Sequence, residues 1–128
     1  MIAYEDNVTN STAMRTCDHV VRQLGSDVDV KKSVWSIDVL STPGLKIKAA
    51  EQAAEADMII IAAHRQSPHS EQFRSWVDLW SGRRNNDSGA LVALLDGQME
   101  EENKDLSLYA YMEGAARENQ MEFFGRAT

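Results

Sequence analysis

Cysteine is almost missing from this chain: Cys17 is the single one among 128 residues. One thiol cannot make an internal disulfide, and a disulfide-free chain suits a reducing cytoplasm. Long apolar runs are missing too. The run "MIIIAA", Met58 to Ala63, is far too short for a bilayer, which takes about 20 apolar residues. No basic segment precedes an apolar one at the start, so no secretory signal is visible. Positive charge is scarce, with 13 Lys and Arg against 20 Asp and Glu and a formal net charge of −7. Such a surface repels phosphate backbones and argues against nucleic acid as a partner. The motifs of several enzyme classes are also lacking. There is no Gly-x-Ser-x-Gly elbow, no Cys/His zinc spacing and no Gly-x-Gly-x-x-Gly fingerprint. Cys17 falls inside a helical pattern, away from any helix start that would stabilise its thiolate.

What is present is globular. Hydrophobic residues make up 43% and charged residues 26%. No repeat, linker or low-complexity tract interrupts the chain, so residues 1–128 read as one domain. Short apolar runs alternate with segments of helical period. "MIAY" (Met1 to Tyr4) reads as a first strand. Ala13, Met14, Cys17, Val20, Val21 and Leu24 recur at three- and four-residue steps and predict a first helix. Thr9, Asn10 or Ser11 would cap that helix and Gly25 would end it.

"SVWSIDVL" (Ser33 to Leu40) alternates and predicts an edge strand with Trp35, Ile37 and Val39 on one face. Ser41-Thr42-Pro43 then opens an Ala-rich helix running to about Ala56, with a hydroxyl cap and proline in the first turn. "DMIIIAAH" (Asp57 to His64) is the continuous apolar run of a strand covered on both faces. Ser67-Pro68 begins a helix with a Phe73, Trp76, Val77, Trp80 stripe, and Gly82 closes it. "ALVALLD" (Ala90 to Asp96) is a second buried strand. A helix follows from about Leu106 to Glu118, then a short last strand "MEFF", Met121 to Phe124.

Strict strand–helix alternation implies a parallel sheet with right-handed crossovers. Five strands of this size fit a doubly wound, flavodoxin-like α/β sandwich with strand order 2-1-3-4-5. Ligands of such sheets sit at the carboxyl ends of the strands, beside the switch point between the first and third. The candidates are therefore Glu5, Asp6 and Asn7 after the first strand, and His64, Arg65, Gln66 and Ser67 after the third. Asp96 and Gly97 follow the fourth, and Arg126 the fifth.

The opening "YEDNVTNSTAMRTCDHVVRQLGSDVDV" resembles the start of response-regulator receiver domains, whose first strand ends in an acid pair. The likeness is detailed over about the first 30 residues. It implies that Glu5 and Asp6 bind Mg²⁺, an ion that takes carboxylate oxygens and keeps several waters. With Asp96 they make a candidate metal set of Glu5, Asp6 and Asp96. The resemblance also implies a phosphoacceptor aspartate ending the third strand. Here that place holds Ala62, Ala63 and His64. The family's hydroxyl residue ending the fourth strand falls near Leu95 or Asp96, and its lysine is replaced by Arg126, which keeps charge without the compact ammonium.

A second stretch, "ADMIIIAAHRQSPHSEQFRSWVDLW", looks like the third strand and following helix of NADPH-dependent FMN reductases. Phe73-Arg74-Ser75-Trp76-Val77-Asp78 fits that helix. On this likeness Asn7 to Thr12 lies on the flavodoxin phosphate loop, so FMN or phosphate would meet Thr9, Ser11, Thr12, His64 and Ser67. The plainer readings are that these hydroxyls cap a helix, that Trp76 and Trp80 pack the core, and that His19 and Glu100 to Glu102 are solvated.

Together these features predict a non-catalytic, receiver-like signalling or interaction module without the phosphoacceptor. An FMN-binding redox protein is the alternative, and metal-dependent hydrolysis at Glu5, Asp6 and Asp96 a third. The expected partner is another protein, with no nucleic acid and no membrane, and the chain a cytoplasmic monomer or homodimer.

Overall fold

The computed structural model describes residues 1–24, 33–64, 70–84, 89–96 and 108–127. Strands β1 (Ile2–Tyr4), β2 (Val34–Ser36), β3 (Met58–His64), β4 (Ala90–Asp96) and β5 (Glu122–Ala127) form one sheet ordered β2-β1-β3-β4-β5. Every pairing is parallel, as the alternation predicts. Between the strands run α1 (Asn7–Leu24), α2 (Ile37–Leu40), α3 (Pro43–Glu55), α4 (Ser70–Trp80) and α5 (Leu108–Glu118). The architecture is the flavodoxin-like sandwich. None of the described helices is long and apolar enough to cross a membrane.

Alternation along each strand divides the core in two. Ala3, Ile59, Ile61, Ala63, Leu91, Ala93 and Leu95 face α2 to α5. Ile2, Ile60, Ala62, Val92 and Leu94 face the other way, where α1 supplies Ala13 and partly buried Met14 and Cys17. The larger core is anchored by the α4 stripe: Phe73, Trp76, Val77 and Trp80 are fully buried. Trp76 and Trp80 meet edge to face with centroids 5.9 Å apart, the geometry the ring quadrupoles favour. Facing them, α3 presents Ala49, Ala50, Ala53 and Ala54, whose small side chains let two helix backbones approach closely.

Two strand boundaries and one helix cap differ from the sequence reading. Ser33–Leu40 is not one strand, because β2 ends at Ser36 and α2 begins at Ile37. The Ser36 hydroxyl accepts from the Val39 N–H and caps the helix. Ile37 and Leu40, three apart, are then both buried, a helical spacing that alternation had concealed. In α3, Pro43 takes the first turn as expected, but the Thr42 hydroxyl lies against the Asp38 carbonyl and leaves the cap unmade. Finally, β5 runs through Ala127, so Arg126 sits inside the strand, in register with Leu94, rather than following it. The expected starts of the helices near Ser67 and Leu106, and Gly25 as a stop, lie outside the described residues.

Two side chains that the hydrophobic pattern did not single out tie the helix ends together. Buried Asn119 accepts from the Gly82 N–H at 2.8 Å and donates to Ser81 Oγ and the Ala115 carbonyl. Gly82, at φ +79°, closes α4 as expected. Arg84 donates to the Ala53 and Ala56 carbonyls at 2.9 and 2.8 Å, joining the Ala56 N–H at the first of them and closing the end of α3.

Candidate functional site

The carboxyl ends of β1 and β3 are adjacent, since Tyr4 pairs with Ala62 and the Glu5 N–H continues the ladder to the Ala62 carbonyl at 3.1 Å. The chain then turns at once into α1. Asp6 is the residue before the helix, and its Oδ1 accepts from the Thr9 N–H at 2.9 Å. Thr9 Oγ1 accepts in return from the Asp6 N–H at 2.9 Å and the Glu5 N–H at 3.0 Å. This is a capping box with aspartate at the cap and threonine in place of the usual Glu or Gln. Thr9 is 2% exposed, its hydroxyl turned inward onto the Asp6 N–H and sharing the Glu5 N–H with the Ala62 carbonyl.

The capping box corrects the expectation for Asn7 to Thr12. These residues are the first turns of α1, not a loop, and neither Thr9, Asn10 nor Ser11 is the cap. A hydroxyl spent on backbone donors is in no position to shape a phosphate loop. Ser11 and Thr12 are further along, their hydroxyls bonded to the Asn7 and Val8 carbonyls one turn back.

The second carboxylate oxygen of Asp6 reaches across the switch point. Asp6 Oδ2 lies 2.6 Å from His64 Nε2, at the end of β3. Glu5 Oε1 accepts from the His64 backbone N–H at 3.3 Å. One donor atom each from Glu5, Asp6 and His64 therefore falls within 4.8 Å of the others, a group that could hold a metal ion. The side chains of His64 and Asp6 remain about a third to a half exposed, so solvent reaches them. The Thr9 N–H holds the Asp6 carboxyl below its ordinary range; desolvation opposes this, and His64 and the Thr9 hydroxyl add to the lowering.

Of the residues singled out in the sequence, the fold thus brings Glu5, Asp6 and His64 together and puts Thr9 beneath them. Asp96 pairs with His64 in backbone register at the end of β4, which places it on the neighbouring strand end. Its side chain and Ser67 lie outside the described set. Sequence reasoning missed that Thr9 locks Asp6; an acid followed three residues later by a hydroxyl was the available signal.

Chemically, the group offers two carboxylate oxygens and one imidazole nitrogen. Mg²⁺ prefers oxygen donors alone, and here one of the three donors is an imidazole nitrogen. Mixed N/O donors suit ions such as Zn²⁺ better. The chain matches no protein-family model, no curated protein and no solved structure, so the fold and this geometry carry the functional reading.

Proposed function

We propose that this chain is a receiver-like signalling or protein-interaction module that has lost phosphoryl acceptance. The observation that carries the reading is the His64–Asp6 contact at 2.6 Å. It supports a site in which the third strand offers no carboxylate: Ala62 and Ala63 are fully buried and His64 is engaged with the acid pair. An acyl phosphate needs a carboxylate oxygen as nucleophile, held beside a cation. Alanine has no nucleophile, and an imidazole would yield a phosphoramidate instead. What stays of the receiver pattern is the acid pair, now part of a mixed Glu5, Asp6 and His64 centre.

Incubation with acetyl phosphate and Mg²⁺, followed by intact-mass spectrometry at neutral pH, tests this reading. The expected result is no mass gain. A stoichiometric adduct mapped to Asp6 or Asp96 overturns it, since the acceptor would then have moved. An adduct that vanishes in His64→Ala replaces it with a histidine phosphocarrier.

A further inference from the structure

We propose that Glu5, Asp6 and His64 form an open centre for a borderline divalent cation of the Zn²⁺ class, and that the ion acts on α1 through Asp6 and Thr9. That the ion is the input of the module, in place of a phosphoryl group, rests on the reading proposed above; the binding itself does not. Consecutive residues on an extended strand point to opposite faces, so an adjacent Glu and Asp do not ordinarily share a target. Here β1 stops at Tyr4 and α1 starts at Asn7, and the turn between them brings both acids onto one residue. The His64 backbone N–H donates to Glu5 Oε1 at 3.3 Å, and His64 Nε2 lies 2.6 Å from Asp6 Oδ2. One donor atom from each residue falls within 4.8 Å of the other two.

The donor chemistry selects the ion. Carboxylates alone suit Mg²⁺ or Ca²⁺, and an imidazole nitrogen among them moves the preference to the later first-row ions. Three protein donors whose side chains solvent reaches leave coordination positions for water, the arrangement of an open rather than a closed centre. At metal–ligand distances of about 2.0–2.1 Å, two ligands of a tetrahedral ion stand about 3.3 Å apart. The 2.6 Å between His64 and Asp6 is the separation of a proton-bridged pair. An ion taking the place of that proton therefore parts the two atoms by about 0.7 Å.

Asp6 does not make that movement alone. Its Oδ1 accepts from the Thr9 N–H, and its carbonyl accepts from the Asn10 N–H at 2.9 Å. Thr9 Oγ1 in turn holds the backbone N–H groups of both acids. Thr9 is thus a positioning residue: it orients two ligands without touching the ion, as the hydrogen-bonding partners behind metal ligands do. A shift of the Asp6 carboxylate is carried to the first turn of α1 through the same bonds.

Titration of the full chain with Co²⁺, whose visible d–d absorption reports its donor set, reads the centre. The expected result is one ion per chain, displaced by Zn²⁺ and retained against a roughly tenfold excess of Mg²⁺. Glu5→Gln and His64→Ala should each weaken Co²⁺ binding at least roughly tenfold, and Thr9→Val, which keeps all three ligands, by about tenfold. Circular dichroism checks that each variant is folded. With Zn²⁺ at roughly ten times its dissociation constant, amide exchange at Thr9 and Asn10 should slow about tenfold, because local opening must first release the ion. No change in the Co²⁺ spectrum, displacement by Mg²⁺, or wild-type affinity in both Glu5→Gln and His64→Ala overturns the centre. Unchanged exchange at Thr9 and Asn10, or a Thr9→Val variant that binds as tightly as wild type, overturns the link to α1. Either failure leaves the acetyl phosphate result standing, and a phosphoryl adduct would remove the module reading without removing the ion site.

Discussion

The side chains of Asp6 and His64, 58 residues apart in the chain, meet at 2.6 Å across the ends of β1 and β3. One carboxylate thereby has two tasks. Its Oδ1 starts α1 through the Thr9 N–H, and its Oδ2 fixes the imidazole at the switch point. The start of the helix and the geometry of the candidate site are mechanically linked.

Separating those tasks is the first prediction. Asp6→Asn keeps an acceptor for the Thr9 N–H, so urea denaturation should place its stability within a few tenths of a kcal/mol of wild type. Asp6→Ala loses the cap and should cost about 1 kcal/mol. Equal losses in both variants would mean that the contact with His64, rather than the cap, dominates.

The second concerns pH. The Asp6 carboxyl is held below the ordinary aspartate range, chiefly by the Thr9 N–H. The folded state therefore favours the ionised form, and the stability this confers is fully present above the unfolded value. It is lost as pH falls through the lower folded value. Wild type should accordingly exceed Asp6→Asn in stability at pH values above about 4, and the margin should close as pH falls below that. The group is half exposed, so the margin is small and salt should reduce it. A margin that persists or grows as pH falls well below about 4 contradicts the assignment.

The third concerns the cation. Two carboxylates and an imidazole should bind Mg²⁺ only in the millimolar range and Zn²⁺ at least roughly tenfold more tightly. Calorimetric titration distinguishes the two ions. His64→Ala should abolish the preference for Zn²⁺ while leaving weak Mg²⁺ binding to the acid pair. Zinc binding that survives both His64→Ala and Asp6→Asn belongs to another place on the protein.

The fourth uses backbone strain at the end of α5. Gln120 adopts φ +54° just after the helix, where the Met121 N–H returns to the Ala116 carbonyl at 2.9 Å. This is the left-handed closing position that glycine occupies without a Cβ penalty. Gln120→Gly should raise stability by about 0.5 kcal/mol, read as a shift in denaturation midpoint with unchanged slope. A loss instead would show that the Gln120 side chain contributes packing that its exposure conceals.

Local pattern was enough to determine the architecture and the order of every element but α2. The unbroken apolar runs at Ile59 to Ala63 and Leu91 to Leu95 need cover on both faces, and that alone makes them the middle of a parallel sheet. Helical period likewise marked the Phe73, Trp76, Val77 and Trp80 stripe. The chemistry at the strand ends was legible as residue types, because the switch-point rule puts Glu5, Asp6 and His64 in one crevice.

What tertiary structure decided were the features whose energy comes from distant partners. Ile37 and Leu40 turn Ser33–Leu40 from one strand into a strand and a helical turn, because both then enter the core beneath α3 and α4. Gly125 to Ala127 extend β5 because β4 offers bonded partners from Ala93 to Leu95, and Tyr109 fills the space above Gly125. Thr9 becomes a cap partner because the turn after β1 aims the Asp6 N–H, and with it the Glu5 N–H, at its hydroxyl. Period and propensity act within a few residues. Pairing, burial and the meeting of Asp6 with His64 depend on chain closure over 58 positions, and only the folded arrangement contains them.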